Sequence, residues 1–139
     1  MAIFLNNKVG FKIATVDLSD HVTAFTLSRQ ADQLEVTAMG DTAHKFVTGL
    51  SADTITVSFL NDTAAGSVLA TLQAAYGTTV AFTAVQDKSA SISATNLLYS
   101  GTILVDNLTD INGAVADEAT IDITFTCNSK TATATTGTF

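Results

Sequence analysis

The chain has 139 residues, a length typical of a single domain with a buried core. Its 13 acidic and 6 basic residues give a net charge of −7, and the basic residues are scattered singly along the sequence. This balance excludes a protein that grips the phosphate backbone of nucleic acid, because such binding requires clustered Lys and Arg.

The first part of the chain is predicted to form strands separated by turns. Short strands are expected at residues 3–5 and 11–16, and a longer one at residues 21–28. Residues 34–37 then alternate between apolar and polar side chains. Residues 54–60 show the same period of two more cleanly, which is typical of a strand with one buried face.

A long loop is predicted between the last two of these strands, at residues 38–53. It is longer than the roughly two to five residues that usually connect a β-hairpin. It mixes apolar side chains (Met39, Phe46, Val47 and Leu50) with charged or titratable ones (Asp41, His44 and Lys45). Apolar side chains on a long loop usually contact either their own domain or another chain, so this loop is the main candidate for a functional site.

One amphipathic helix is predicted near residues 63–76. Possible capping side chains precede it, and Gly77 lies where a glycine commonly ends a helix. Apolar residues recur at spacings of three and four: Ala65, Val68, Leu69, Leu72 and Tyr76. One apolar stripe of this kind predicts a helix that packs against a sheet.

The remainder of the chain returns to strand patterns. Strands are predicted at residues 80–86, 97–106 and 119–127, the last with the clearest alternation. Residues 89–95 form a weaker strand or a loop, and residues 107–116 are rich in turn-forming side chains. The succession contains no strand–helix–strand repeat that would indicate a parallel sheet.

These elements predict a mainly β fold, a β-sandwich or partial barrel of about seven or eight antiparallel strands with one flanking α-helix. Residues 1–128 are expected to form one domain that contains the helix and the long loop. Residues 129–139, SKTATATTGTF, are low in complexity and nearly uncharged, which is typical of disorder. We expect them to form a C-terminal arm that is held by a partner surface.

Two features of the composition concern the edges of the sheet. The chain has no proline, and charged residues make up 14% of it, against about 25% in an average protein. Independent β-domains usually protect their edge strands with Lys, Pro or inward-pointing charges. Either the edges pair with neighbouring copies, or bulges and loops cover them, and composition does not choose between the two.

The sequence contains no constellation typical of an enzyme or a metal site. His21 and His44 are far apart, and neither has a second ligand at metal-binding spacing. Asp41 precedes His44 by three residues, but a solvated or interface role is favoured over catalysis. The acidic residues at 106–117 lack the register of an EF-hand. We therefore expect no catalytic activity, no metal and no cofactor, and we expect Cys127 to be a buried apolar residue.

The sequence also carries no recognisable targeting segment. The opening stretch MAIFLNNKVG lacks a basic run, and its apolar run is too short for a signal peptide. No apolar stretch approaches the length of a transmembrane helix. We therefore expect a soluble protein that is assembled in the cytoplasm.

Several short motifs occur in a recognisable order along the chain. They are DLSD at residues 17–20, LEVT at 34–37, MGDTA at 39–43, GL at 49–50 and SATN at 93–96, followed by Tyr99 and Gly101. In this order and spacing they resemble the major tail proteins, or tail tube proteins, of long-tailed bacteriophages with flexible tails.

The resemblance implies a β-sandwich subunit whose copies form hexameric rings that stack into the hollow tail tube of a virion. The tube would conduct DNA during ejection without sequence-specific binding, and an acidic lumen would repel phosphates. Its expected partners are further copies of the chain and the tape measure, tail terminator and distal tail proteins, with no membrane. Assembly would take place in the host cytoplasm.

Two sets of residues follow from this reading as expectations. The contacts between rings are expected at Met39, Gly40, Asp41, His44, Phe46 and Leu50 of the long loop, and at Phe139 of the arm. The surface of the lumen is expected at Glu35, Asp53, Thr56, Ser58 and Asp122. The alternative for each lumen residue is an exposed sheet face on the outside of the tube.

Two other functions remain open. The first is the inner tube of a contractile injection system or tailocin, which would share the fold but bind a sheath. The second is an extracellular β-sandwich binding module, which predicts a signal peptide that the sequence does not show.

Overall fold

A computed structural model describes residues 8–139 of the chain. The predicted strand at residues 3–5 lies outside the described residues. The elements in chain order are β1 Gly10–Ile13, β2 Val16–Asp17, a 3-10 turn Ser19–His21, β3 Val22–Ser28, β4 Ala31–Glu35, β5 Phe46–Ser51, β6 Thr54–Leu60, α1 Val68–Ala75, β7 Thr79–Val85, β8 Leu98–Leu104, β9 Thr120–Cys127 and β10 Ala132–Ala134.

Eight of the ten strands form one antiparallel sheet. Its strand order is β2-β1-β7-β8-β9-β6-β3, and β10 lies beside β8, next to the end of β9. Strands β4 and β5 form a separate two-stranded sheet. The predicted fold class, mainly antiparallel β with a single helix, is confirmed.

The large sheet curls around one apolar core. The ring of Phe11 on β1 lies 5.0 Å from that of Phe25 on β3 and 6.1 Å from that of Phe59 on β6. Because β1 and β3 are near opposite ends of the strand order, these contacts mean that the two ends of the sheet approach each other. Strands β6 and β9 alternate between buried and exposed residues along their whole length, as predicted.

The helix begins later than the sequence pattern predicts. It starts at Val68 rather than near residue 63, because Gly66 adopts φ +76° and a turn closed by the carboxylate of Asp62 precedes it. It ends at Ala75, one residue before the expected end near residue 76, and Gly77, which has φ +80°, follows the C-cap Tyr76. Its apolar face, Val68, Leu72 and Ala75, is buried in the core.

The predicted loop at residues 38–53 is correct only in part. Residues 46–51 form β5, which pairs with β4 in a hairpin and leaves a connection of residues 36–45. The alternation in β5 is hard to recognise because Gly49 interrupts it and both faces of the hairpin are exposed.

The expectation of an arm that needs a partner surface also requires correction. Residues 132–134 form β10 and pair with Leu98–Ser100 of the same chain. The segment before β10 is fixed as well, because Ser129 Oγ accepts the backbone N–H of Thr102 at 3.0 Å. The C-terminal segment therefore packs on its own domain, although its low complexity is typical of disorder.

Candidate functional site

The β4–β5 hairpin is the most exposed part of the described chain. Apart from Asp41, every residue from 32 to 48 is exposed. A two-stranded hairpin is only marginally stable in water unless a hydrophobic face packs on something. A hairpin of this kind is therefore a strong candidate for a surface that another molecule covers.

Large apolar side chains are concentrated on this hairpin. Those exposed to solvent are Leu34, Val36, Met39, Phe46, Val47 and Leu50. The exposed fraction is 104% for Met39 and 80% for Leu50, so neither side chain is packed within its own subunit. A cluster of this kind is unusual on an isolated soluble domain and indicates a protein–protein contact.

The tip of the hairpin is held by its own polar contacts. Asp41 accepts the backbone N–H of Ala38 at 2.8 Å and forms an ion pair with Lys45 at 2.7 Å. The Lys45 ammonium and the Ala38 amide hold the pKa of the Asp41 carboxyl below its ordinary value. His44 Nδ1 lies 2.6 Å from the Glu35 carboxylate. The structure thus pairs Asp41 with Lys45 rather than with His44, and it gives the tip a defined shape.

The base of the hairpin is fixed by Asp53, whose side chain is 3% exposed. Its carboxylate accepts the backbone N–H of Thr131 at 2.8 Å and that of Gln30 at 3.1 Å. Its carbonyl accepts the N–H of Cys127 at 3.0 Å. Burial alone would raise the pKa of Asp53, but the hydrogen bonds from Thr131 and Gln30, together with the Arg29 charge, more than compensate and lower it. The expectation that Asp53 faces a lumen is therefore wrong, since it joins three segments inside the domain.

The other predicted lumen residues lie in two places. Thr56, Ser58 and Asp122 lie together on the outward face of β6 and β9, where Ser58 is directly opposite Asp122. Glu35 lies on the hairpin and contacts His44 instead. Of the three carboxylates expected in the lumen, only Asp122 lies on this face. Strands β3, β6 and β9 contain no other ionisable side chain apart from the buried Cys127.

The outward edge of β3 is a second exposed surface, where the strand backbone has no neighbouring strand. Within residues 8–139, β3 pairs with β6 alone, and none of its seven residues is charged. A groove of about 510 Å³ runs beside it, with Val9, Phe25 and Tyr99 among its lining residues. Unpaired strand edges without charges readily accept another strand.

Phe139, the predicted contact of the arm, lies on its own domain. Its ring lies over β1, with the Lys12 ammonium 4.5 Å from the ring centroid. A Cβ built on Gly10 would lie 2.9 Å from the Phe139 ring and 2.9 Å from Val85. The absence of a side chain at residue 10 is what allows the ring to approach the sheet. A role for Phe139 in contacts between stacked rings of subunits remains a prediction.

Exchanging Gly10 for alanine should displace the Phe139 ring, because the new methyl group would overlap it. We expect carboxypeptidase A to release Phe139 several-fold faster from this variant than from the wild type. Gly113→Ala is the matched control, since a Cβ there meets nothing within 4 Å. Equal release rates in all three proteins would contradict the packing described for Phe139.

The described residues show no arrangement that suggests catalysis. Among residues 8–139, no group of three His, Cys, Asp or Glu side chains is placed to hold a metal ion. Cys127 is buried, and burial, followed by the nearby Asp53 charge, raises the pKa of its thiol. None of the helices in the described part of the chain has the length and apolar character needed to cross a membrane.

Comparisons with known proteins find the same fold in solved structures. No family model and no curated protein sequence matches the chain. Among solved structures, a chain from the virion of a native gene transfer agent particle matches with a TM-score of 0.70 at 12% identity, covering 95% of this chain and 99% of that one. A chain from the tail of an empty gene transfer agent particle, obtained by helical refinement with C6 symmetry, matches with a TM-score of 0.64 at 14% identity, covering 98% and 100%. At such low identity the likeness establishes a shared fold over almost the whole chain.

Proposed function

We propose that this chain is a structural subunit of a phage-like virion tail, and that its copies form hexameric rings that stack into the tail tube. The observation that carries the proposal is the shared fold, which extends over almost the full length of a chain from a C6-symmetric tail. The motif order noted in the sequence points to the same class of protein. Neither observation indicates an enzyme.

The hairpin is the element assigned to contacts between rings. Its apolar side chains, above all Met39, Phe46 and Leu50, are exposed in the single subunit and would be buried against the next ring. The paired tip residues support this role, because a surface that is already ordered loses less conformational entropy on binding.

The outward face of β3, β6 and β9 is assigned to the lumen. Hydroxyl side chains dominate it, and Thr56 Oγ1 lies 3.4 Å from Thr124 Oγ1 across the two strands. Asp122 would add one carboxylate for each subunit. Because β3, β6 and β9 contain no Lys or Arg, DNA passing through would meet no cationic side chain on these strands. The unpaired edge of β3 would take a strand from the neighbouring subunit, which removes the exposed edge.

The wider context follows from the same proposal. The subunit would be assembled in the cytoplasm of a host and end in the virion tail, with the tape measure, tail terminator and distal tail proteins as further partners. A flexible phage tail is preferred over a contractile system on the motif order alone. Binding of a sheath to the outside of the tube would favour the contractile alternative.

Electron microscopy of the purified protein tests the proposal directly. We expect tubes of uniform width whose averaged cross-section has six-fold symmetry, formed above a critical concentration. Dispersed monomers at every concentration, also in the presence of tail tips that nucleate growth, would overturn it.

The lumen assignment has a separate test in Thr124→Cys, which places a thiol on the outward face of β9. In free subunits, both a small maleimide and a bulky polymer-linked maleimide should react with it. In tubes, only the small reagent should react, because the bulky one cannot enter the lumen. The buried native Cys127 stays in place as an unreactive background. Equal labelling of tubes by both reagents would place this face outside.

A further inference from the structure

The connection between β8 and β9 carries two fully exposed aliphatic side chains. We call residues 106–119 the acidic loop, because it contains Asp106, Asp110, Asp117 and Glu118 and no Lys or Arg. The exposed fraction is 94% for Ile111 and 101% for Val115. Solvent exposure of two such side chains on one loop indicates a partner that covers them.

The acidic loop is anchored by hydrogen bonds to β9. The Asn107 side chain donates to the Thr124 carbonyl at 3.1 Å, and the Thr109 hydroxyl donates to the Asp122 carbonyl at 3.3 Å. The Asn112 amide donates to the Thr120 hydroxyl at 3.0 Å. Ile111 and Val115 therefore project from a fixed segment.

An apolar groove lies along the side of α1 that faces away from the acidic loop. Its volume is about 480 Å³, and its lining includes Ile13, Val16 and Val80 from the sheet and Gly66, Ala70 and Ala74 from the helix and the turn before it. None of the residues that line it is charged. The small side chains on the helix leave room for larger aliphatic ones from outside.

The loop of a subunit cannot fill the groove of that same subunit in this structure. The acidic loop meets α1 on the side of Gln73, whose amide lies 3.4 Å from the Asp110 carboxylate. Thr71 and Ala75, which line the groove, face the other side, since successive helical residues are about 100° apart and residues two positions from Gln73 therefore point about 160° away from it. A contact between the two features thus joins different copies through different surfaces, and a head-to-tail arrangement of this kind forms a ring when its rotation closes.

Charge also favours this pairing. The groove begins at Gly66, beside the amino end of α1, and the first turn of α1 contains no acidic residue. The nearby Asp62 carboxylate is already engaged by His21 and by the Ala64 N–H. The amino end of a helix carries a partial positive charge, so it attracts carboxylates. Asp117 and Glu118 follow Val115 closely and would approach this end when Val115 enters the groove.

We propose that Ile111 and Val115 of one copy insert into the α1 groove of the neighbouring copy, as a lateral contact within a ring. The contact rests on the proposed ring assembly, but it is separate from the hairpin and from the β3 edge. It gives the ring a second, outer contact between neighbours that consists of side chains rather than paired strands.

Cross-linking tests the contact with Ala74→Cys and Val115→Cys and a short bis-maleimide. The double variant should give a ladder of covalent oligomers under denaturing conditions. Mixed single variants should give covalent dimers only, and each single variant alone should give none. The matched control pairs Ala74→Cys with Ala43→Cys at the hairpin tip, and it should give no ladder. Ala74, Val115 and Ala43 are all exposed, so each variant should fold as the wild type does.

The outcomes separate this inference from the proposed function. If tubes form but neither Ala74→Cys with Val115→Cys nor Ala70→Cys with Ile111→Cys gives a ladder, the lateral contact is overturned. The tube assignment is then unaffected. A ladder without tubes supports the contact and counts against the tube. Absence of both overturns both.

Discussion

The triple substitution Met39→Ser, Phe46→Ser and Leu50→Ser is expected to abolish the stacking of rings while the subunit stays folded. These side chains are exposed in the free subunit, so their removal takes nothing from its core. Burial of one large apolar side chain contributes about 1.5–3 kcal/mol. Loss of three such contributions should raise the critical concentration for assembly by at least about a hundredfold. Sedimentation over a concentration series, with micrographs of the pellet, measures the change.

The matched control changes the same hairpin without removing apolar surface of that size. Thr42→Ser combined with Ala43→Ser alters two exposed residues at the tip and should leave the critical concentration within a few-fold of the wild type. Circular dichroism of both variants checks that the subunit is folded. Assembly of the triple variant at the wild-type concentration would refute the assignment of the hairpin to contacts between rings.

Asp53→Ala is expected to lower the free energy of unfolding by roughly 2–4 kcal/mol, because it leaves one buried and one partly buried N–H donor without an acceptor. The donors are those of Gln30 and Thr131, so the base of the hairpin and the start of the C-terminal segment should loosen together. Urea unfolding measures the first effect, and trypsin cleavage after Lys130 measures the second. Asp122→Asn, at an exposed carboxylate, is the control and should change neither. An unaltered midpoint for Asp53→Ala would contradict the role given to this carboxylate.

The same carboxylate makes stability depend on pH in a defined direction. Because the pKa of Asp53 is lowered from 3.8 in the folded state, the unfolded state takes up the proton first as the pH falls. The stabilisation is complete well above pH 3.8 and is lost as the pH falls through the lower folded-state pKa. Asp53→Asn should therefore show a shallower loss of stability in this acid range than the wild type.

Strands with one buried face were predictable from sequence, and elements without such a face were not. β6 and β9 each have an apolar side toward the core, so alternation alone located them. β5 has both faces in solvent, and its apolar residues follow no clean period. β10 consists of Ala and Thr in a low-complexity stretch, and only its pairing with β8 makes it a strand. The sequence pattern does not locate the start of α1, because it does not show that Gly66 adopts a positive φ and lies outside the helix.

The candidate site divides along a similar line. Met39, Phe46 and Leu50 are conspicuous in the sequence as candidates, because large apolar residues stand out in a stretch without a regular period. Nothing in the sequence separates Asp53 from the exposed carboxylates, since its burial depends on Gln30 and on Thr131, which is 78 residues away. The α1 groove was equally hidden, because Ile13, Val80 and Ala74 meet only in three dimensions.

The link between Asp53 and Thr131 also has a consequence for timing during protein synthesis. Residues 30 and 53 leave the ribosome long before residues 127–131, so a nascent chain holds the hairpin sequence without the donors from Cys127 and Thr131 that fix its base. Strand β6 likewise lacks one of its two neighbouring strands until β9 has been synthesised. If the chain assembles as proposed, a partly synthesised subunit would lack a finished contact surface, and polymerisation would be restricted to chains that have been synthesised beyond Thr131.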